Sequence, residues 1–166
     1  MNERAKEVYE GMKDAGIDFV ASVPCVYLKD LLDLISADKD IVHVPVTREE
    51  EGVGICAGAF MGGKRPALLM QNSGLGNCTN ALASLDLLFG IPLLMIISHR
   101  GVEGERVSAQ APMGRITQPL LNAIDIPFYK PPAGKARIAV KRAWDHAERE
   151  GVPSGVLFPV AFWRSA

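Results

Sequence analysis

Apolar positions along this chain switch repeatedly between helical spacing and short, nearly continuous runs. Residues 3–15 place Ala5, Val8, Met12 and Ala15 on one helical stripe, and Gly16 offers a stop. Residues 18–23 (DFVASV) read as a strand ended by Pro24, and 27–36 set Leu28, Leu31, Leu32 and Ile35 on one side of a short helix. Strand-like IVHVPV (41–46) carries Pro45, which calls for an edge, an end or an irregularity. The next helix, 49–61, is rich in small side chains and ends at Gly62-Gly63, before strand PALLM at 66–70. A turn is expected at 71–77 (QNSGLGN), then a helix over 78–88 and the apolar strand PLLMII at 92–97.

The last third keeps the rhythm with one interruption. Residues 99–114 mix glycine with charge and show no sustained period, which predicts a mobile or ligand-gated loop. A short helix at 115–123, strand IPFYK at 126–130, a helix at 134–149 and strand GVLFPV at 155–160 complete the pattern. Apolar strands alternating with helices imply an α/β domain whose mostly parallel sheet is covered on both faces. No internal repeat or low-complexity tract interrupts it.

Composition adds bounds to that picture. The 166 residues favour one domain, 1–166, and 48% hydrophobic with 22% charged residues excludes a disordered chain. A formal charge of −1 gives no overall attraction to nucleic acid or to an anionic membrane. The most apolar run, 87–98, contains Gly90 and Pro92 and falls well short of the roughly 20 residues a membrane crossing needs. The polar amino terminus lacks an apolar export core, so a cytoplasmic location is expected. Cys25, Cys56 and Cys78 form no C-x-x-C pair, so neither a disulfide framework nor a zinc site is expected, and Cys56 reads as a buried, inert thiol.

Candidate chemistry gathers beyond the carboxyl ends of the expected strands, where parallel sheets build their sites. QNSGLGN follows strand 66–70 and could offer backbone N–H groups with Gln71, Asn72, Ser73 and Asn77, though it is neither a Walker loop nor G-x-G-x-x-G. Glu49, Glu50 and Glu51 open the small-residue helix. Acidic groups there suit the positive helix end, and one could instead face a nitrogen heterocycle in a partly dry cleft. The residues alone leave all three eligible. Gly52, Gly54 and Gly58 inside that helix need a close neighbour, a ligand or another subunit, since each costs about 0.5–1 kcal/mol relative to alanine. His99-Arg100 follow strand 92–97, where arginine suits an oxyanion, while Glu103, Glu105 and Arg106 read as surface charges. Pro24, Cys25, Tyr27 and Lys29, just past the first strand, are placed to shape a substrate mouth. Lys135, Arg137, Lys141 and Arg142 crowd the start of the last long helix, against its dipole. Tertiary packing, an anion site or a subunit contact would account for them.

SVPCVYLKDLLD, REEEGVGICAGAFMGGKRPALLMQNSGLGN and ISHRG, taken in order, resemble the sulfopyruvate and phosphonopyruvate decarboxylase branch of the thiamine-diphosphate enzymes, over roughly residues 1–160. The resemblance implies the pyrimidine-binding domain of that family, a three-layer α/β/α sandwich with a mainly parallel six-stranded sheet. Glu49 and Gly58 match the family's activating glutamate and a glycine nine positions later, so Glu49 is the implied contact to N1′ of the aminopyrimidine. The preceding residue, commonly asparagine in the family, is Arg48 here. Asn72, Ser73 and Gly74 are the implied cofactor neighbours, and Pro24, Cys25, His99 and Arg100 the implied substrate neighbours. The implied activity is decarboxylation of 3-sulfopyruvate to sulfoacetaldehyde and CO2 in coenzyme M biosynthesis, with a phosphonopyruvate decarboxylase subunit as the alternative. A non-catalytic assembly or small-molecule-binding subunit stands as a further alternative. No G-D-G element is present. The implied complement is therefore a beta subunit that holds Mg2+ and the diphosphate, within a larger hetero-oligomer.

Overall fold

The computed structural model describes residues 2–164. Six strands run β1 (Phe19–Ser22), β2 (Val42–Pro45), β3 (Pro66–Gln71), β4 (Leu93–His99), β5 (Phe128–Tyr129) and β6 (Pro153–Pro159). They form one sheet in the order β2-β1-β3-β4-β6-β5, with every adjacent pair parallel. Seven helices accompany them: α1 (Glu3–Asp14), α2 (Lys29–Ala37), α3 (Glu49–Met61), α4 (Asn72–Ala81), α5 (Ala111–Ala123), α6 (Ala136–Glu150) and α7 (Val160–Arg164).

Strand side chains alternate between two cores. Val20, Leu69, Ile96 and Phe158 join α1, α2, α6 and α7 on one face, while Leu68, Met70, Ile97 and Leu157 join α3, α4 and α5 on the other. All seven residues of β4 are buried, as a central strand covered on both sides requires. Pro45 closes the edge strand β2, where a missing donor breaks no ladder. The expected three-layer α/β/α architecture is the one observed.

Helix ends follow the local chemistry. The Asn2 side chain caps α1 by accepting from Arg4 N (2.8 Å), and Gly16 (φ +72°) ends the turn beyond it. The basic start of α6 is neutralised by α1: Glu7 accepts from Ala136 N (2.7 Å), and Arg137 pairs with Glu10 and Asp14. Arg137 is therefore engaged within the chain. The two helices meet closely because a Cβ on Gly11 would fall 2.7 Å from Arg137 O.

Several expected boundaries move. Residues 71–77 are not a turn: Gln71 ends β3 in extended geometry and α4 begins at Asn72. A π-helical stretch, Leu82–Leu87, continues directly from α4. Glycine, serine and asparagine usually favour turns, but here their small size lets α4 pack tightly. The expected mobile loop over 99–114 is shorter and pinned, with α5 starting at Ala111 and Pro112 in its first turn. Strand β5 keeps two residues of the five expected, and α7 follows β6 without a sequence signal.

Candidate functional site

All strands point the same way, so their carboxyl ends share one rim, and the chain leaves that rim on different faces. After β1 it enters α2 on one face, and after β3 it enters α4 on the other. This divergence opens a crevice between neighbouring strands β1 and β3. Cys25 approaches it from β1, its Sγ lying 3.9 Å from Gln71 Oε1 at the end of β3. Gln71 Nε2 donates to Ser73 Oγ (2.9 Å) and to Gln110 Oε1 (3.0 Å), so the turn that leads into α5 meets the end of β3.

Glu49 sits beside this crevice at the first turn of α3. The three consecutive glutamates separate by geometry. Glu51 turns back to accept from the Thr47 and Arg48 backbone N–H groups (3.1 and 3.2 Å), closing the helix end. Glu50 pairs with Arg48 at 2.9 Å. Glu49 turns inward and is 7% exposed. Its carboxylate lies against the backbone of Gly74, where any Cβ would overlap Glu49 Cγ, Cδ and Oε1. Among the described residues its hydrogen-bond donor is Asn77, whose Nδ2 reaches Oε2 at 3.0 Å.

Asn72 occupies a different position from the one expected of a cofactor neighbour. It is fully buried, with every amide group committed within the chain. Oδ1 accepts from Arg100 N (2.9 Å), while Nδ2 donates to Arg100 O (3.1 Å) and Thr117 Oγ1 (2.9 Å). Its amide thus clips the end of β3 to the residue after β4 and to α5. Ser73 and Gly74 stay on the Glu49 side.

Arg100 is enclosed and paired. Its Nη2 donates to Glu105 Oε1 (3.0 Å), its Nε donates to Oε2, and its guanidinium lies 5.0 Å from the Tyr27 ring centre. Glu105 also accepts from the backbone N–H groups of Gly101, Arg106 and Val107. Those donors, Arg100 foremost, hold its carboxyl well below the usual carboxylate range. Glu105 is therefore not the surface charge its sequence neighbourhood suggests, whereas Glu103 and Arg106 are exposed.

His99 donates from Nε2 to Gly114 O (3.1 Å), and burial lowers its pKa. It lines a cavity of about 560 Å³ with Gln118, Lys130, Leu157, Pro159 and Phe162, apart from Glu49. Pro24 and Cys25 border a smaller one of about 330 Å³ with Lys29, whose charge is paired with Asp33. The structure thus brings Glu49 to Gly74 and Asn77, links Cys25 to Ser73 by way of Gln71, and sets His99 in a separate cavity. Cys56 is buried as expected, its thiol pushed up to about 12 by desolvation. Among the described residues no cluster of three or more His, Cys, Asp or Glu is arranged to hold a metal ion.

Sequence reasoning named Asn77 only among the polar side chains of an expected turn, read Glu105 as a surface charge and did not single out Gln110. Asn77 lies three residues after Gly74, so a helical reading of 72–81 would have put both on one face. The expectation of a turn concealed that pairing.

An enclosed carboxylate with spare acceptor capacity, beside a bare stretch of backbone, suits a flat ring that carries a basic nitrogen. Residues 3–122 match the family described as thiamine pyrophosphate enzyme, N-terminal TPP binding domain. The chain belongs to this family. It is 52% identical over 162 residues to the sulfopyruvate decarboxylase subunit alpha of Methanothermobacter thermautotrophicus, covering 97% of this chain and 98% of that one. It is 37% identical over 161 residues to the phosphonopyruvate decarboxylase of Streptomyces viridochromogenes, covering 93% of this chain and 40% of that protein. The fold matches benzoylformate decarboxylase from Polynucleobacter necessarius with a TM-score of 0.77 at 17% identity, over all of this chain and 31% of that one. Among the described residues no helix is long and apolar enough to cross a membrane.

Proposed function

We propose that this chain is the alpha subunit of a thiamine-diphosphate-dependent decarboxylase that converts 3-sulfopyruvate to sulfoacetaldehyde and CO2, a step of coenzyme M biosynthesis. The observation that carries the reading is Glu49: a carboxylate enclosed at a helix start, seated on side-chain-free backbone, with one neutral donor. Near-full-length identity to a sulfopyruvate decarboxylase alpha subunit supports the choice of substrate.

The residues present fit the ring end of the cofactor. Glu49 Oε2 is held by Asn77, which leaves Oε1 to accept from a protonated ring nitrogen. In a site where water is excluded, that ion-paired hydrogen bond strengthens and favours the protonated ring. Gly74 leaves room for the Glu49 side chain itself, which seats the carboxylate against the α4 backbone. Ser73 and Gln71 offer a hydroxyl and an amide at the crevice mouth, where Pro24 and Cys25 border the substrate. When bound, thiamine diphosphate supplies the electron sink that lets the carboxylate carbon leave as CO2.

Arg100 takes a supporting part in this reading. Its guanidinium is already neutralised by Glu105, so it holds the 100–107 segment over the rim, while His99 ties the end of β4 to α5 through Gly114 O. In this reading a beta subunit carrying a G-D-G element holds the Mg2+ and the diphosphate, in keeping with the near-full-length likeness to a protein named subunit alpha. A test is reconstitution of the chain with a G-D-G-bearing partner, thiamine diphosphate and Mg2+. Sulfopyruvate-dependent CO2 release, lost in Glu49→Gln, is the expected result. Turnover of phosphonopyruvate in preference to sulfopyruvate would reassign the substrate. No turnover of either acid by the complex would overturn the reading.

A further inference from the structure

We propose that Asn77 is a positioning residue that fixes the Glu49 carboxylate and reserves one of its oxygens for a ring nitrogen. The inference rests on the reading of Glu49 given above and extends it to a residue without an assigned role. An ionised carboxylate can only accept, so the Asn77 amide must present its Nδ2 to Oε2, and the 3.0 Å contact has one chemical orientation. Asn77 itself is exposed, whereas Glu49 is 7% exposed. An outward-facing helical asparagine spends its amide on a neighbouring helix's enclosed acid.

The geometry works as a two-point seat. Gly74 and Asn77 are three residues apart on α4 and face the same way. Gly74 admits the Glu49 side chain by having no Cβ to oppose it, and Asn77 then sets the rotation of the carboxylate plane. A neutral donor is well matched to this task. A lysine there would form an ion pair and compete with the ring for the negative charge, while a carboxylic acid would compete for the proton. The amide restrains the group and leaves its charge available.

The experiment uses the reconstituted alpha–beta complex with Mg2+ and measures binding by calorimetry. The two probes are thiamine diphosphate and its analogue in which a pyridine ring lacks the N1′ nitrogen. Wild-type protein is expected to prefer the N1′-bearing cofactor. Asn77→Asp keeps size and shape but sets two carboxylates within hydrogen-bond distance, where they cannot both stay ionised. It is expected to lose at least tenfold of that preference. Asn77→Ala is expected to lose about threefold, Asn77→Gln, which keeps the amide donor, to stay within about twofold of wild type, and all three to melt as wild type does. A packing role would instead lower the melting temperature and weaken both probes equally, which would overturn the proposal. So would full preference in Asn77→Asp, or in Asn77→Ala should the former fail to fold. Glu49→Gln separates the two levels. If it keeps the preference, the reading of Glu49 fails; if it loses the preference while Asn77→Asp keeps it, the role of Asn77 alone fails.

Discussion

Glu49 and Glu105 are both enclosed carboxylates on the same rim, and they are treated in opposite ways. Glu105 takes donors from the Arg100 guanidinium and three backbone N–H groups, five hydrogen bonds in all. Glu49 takes one, from a neutral amide. A carboxylate has about four acceptor sites. Glu105 is saturated and can only be structural, while Glu49 keeps most of its capacity for something outside the chain. Burial alone does not mark a functional acid; what separates Glu49 from Glu105 is the acceptor capacity it leaves unspent beside Gly74.

A third enclosed acid gives the largest expected effect. Asp86, on the π-helical stretch, is fully buried, and neither oxygen has a donor among the described residues. Desolvation raises its pKa to about 7. The folded state therefore binds a proton that the unfolded state releases above the ordinary aspartate value. Stability from this group is complete below about pH 4, declines as pH rises through 7, and the total approaches ~4 kcal/mol. Urea melts of the purified protein at pH 5 and pH 8 should show about two-thirds of that loss, and Asp86→Asn should remove it.

Glu105→Ala comes next, at about 3 kcal/mol of stability, because it strands the Arg100 charge in an enclosed place. The sign with pH is opposite to that of Asp86. The Glu105 carboxyl titrates below its ordinary value, so its contribution is whole above about pH 5 and is lost on acidification. Arg100→Ala should show a similar loss in melts, with little change in KM. A selective rise in KM without a loss of stability would instead return Arg100 to the substrate.

Glu49→Gln should leave melting unchanged and lower CO2 release by the reconstituted complex about a hundredfold, equivalent to ~2.8 kcal/mol. A destabilised Glu49→Gln of normal activity would erase the contrast between the two acids. Smallest is Gly74→Ala, whose methyl group must push the Glu49 carboxylate aside. A tenfold loss of activity, ~1.4 kcal/mol, is expected with a smaller change in melting than for Glu105→Ala.

The sheet was legible because buried parallel strands are continuous apolar runs, and LLMII or ALLM admits few other readings. The helix over 49–61 was read to its observed ends, and Glu49 stood out there through its resemblance. The three-way ambiguity among Glu49, Glu50 and Glu51 was physical. All three suit a helix start, and only the position of α4 separates them. Asn72 was misplaced for a related reason: local propensity reads N-S-G-L-G-N as a turn, whereas close packing on Glu49 and a buried amide clip hold it as helix. Glu105 was illegible because its five donors come from backbone geometry and from an arginine that looked solvated. Of the interior glycines in α3, Gly52 has its reason in Leu68 Cδ1, 2.6 Å from where its Cβ would be, while a Cβ on Gly54 or Gly58 would meet nothing within 4 Å among the described residues.

The Asn72 clip has a mechanical consequence. Its side chain grips both backbone groups of Arg100, and its own backbone starts the helix that carries Gly74 and Asn77. A shift of the Arg100 peptide by an ångström would either break two short bonds or drag the first turn of α4 along. Glu105 and Glu49 are thus bolted to a common bracket, and a tug on the outer segment is felt where the inner acid rests.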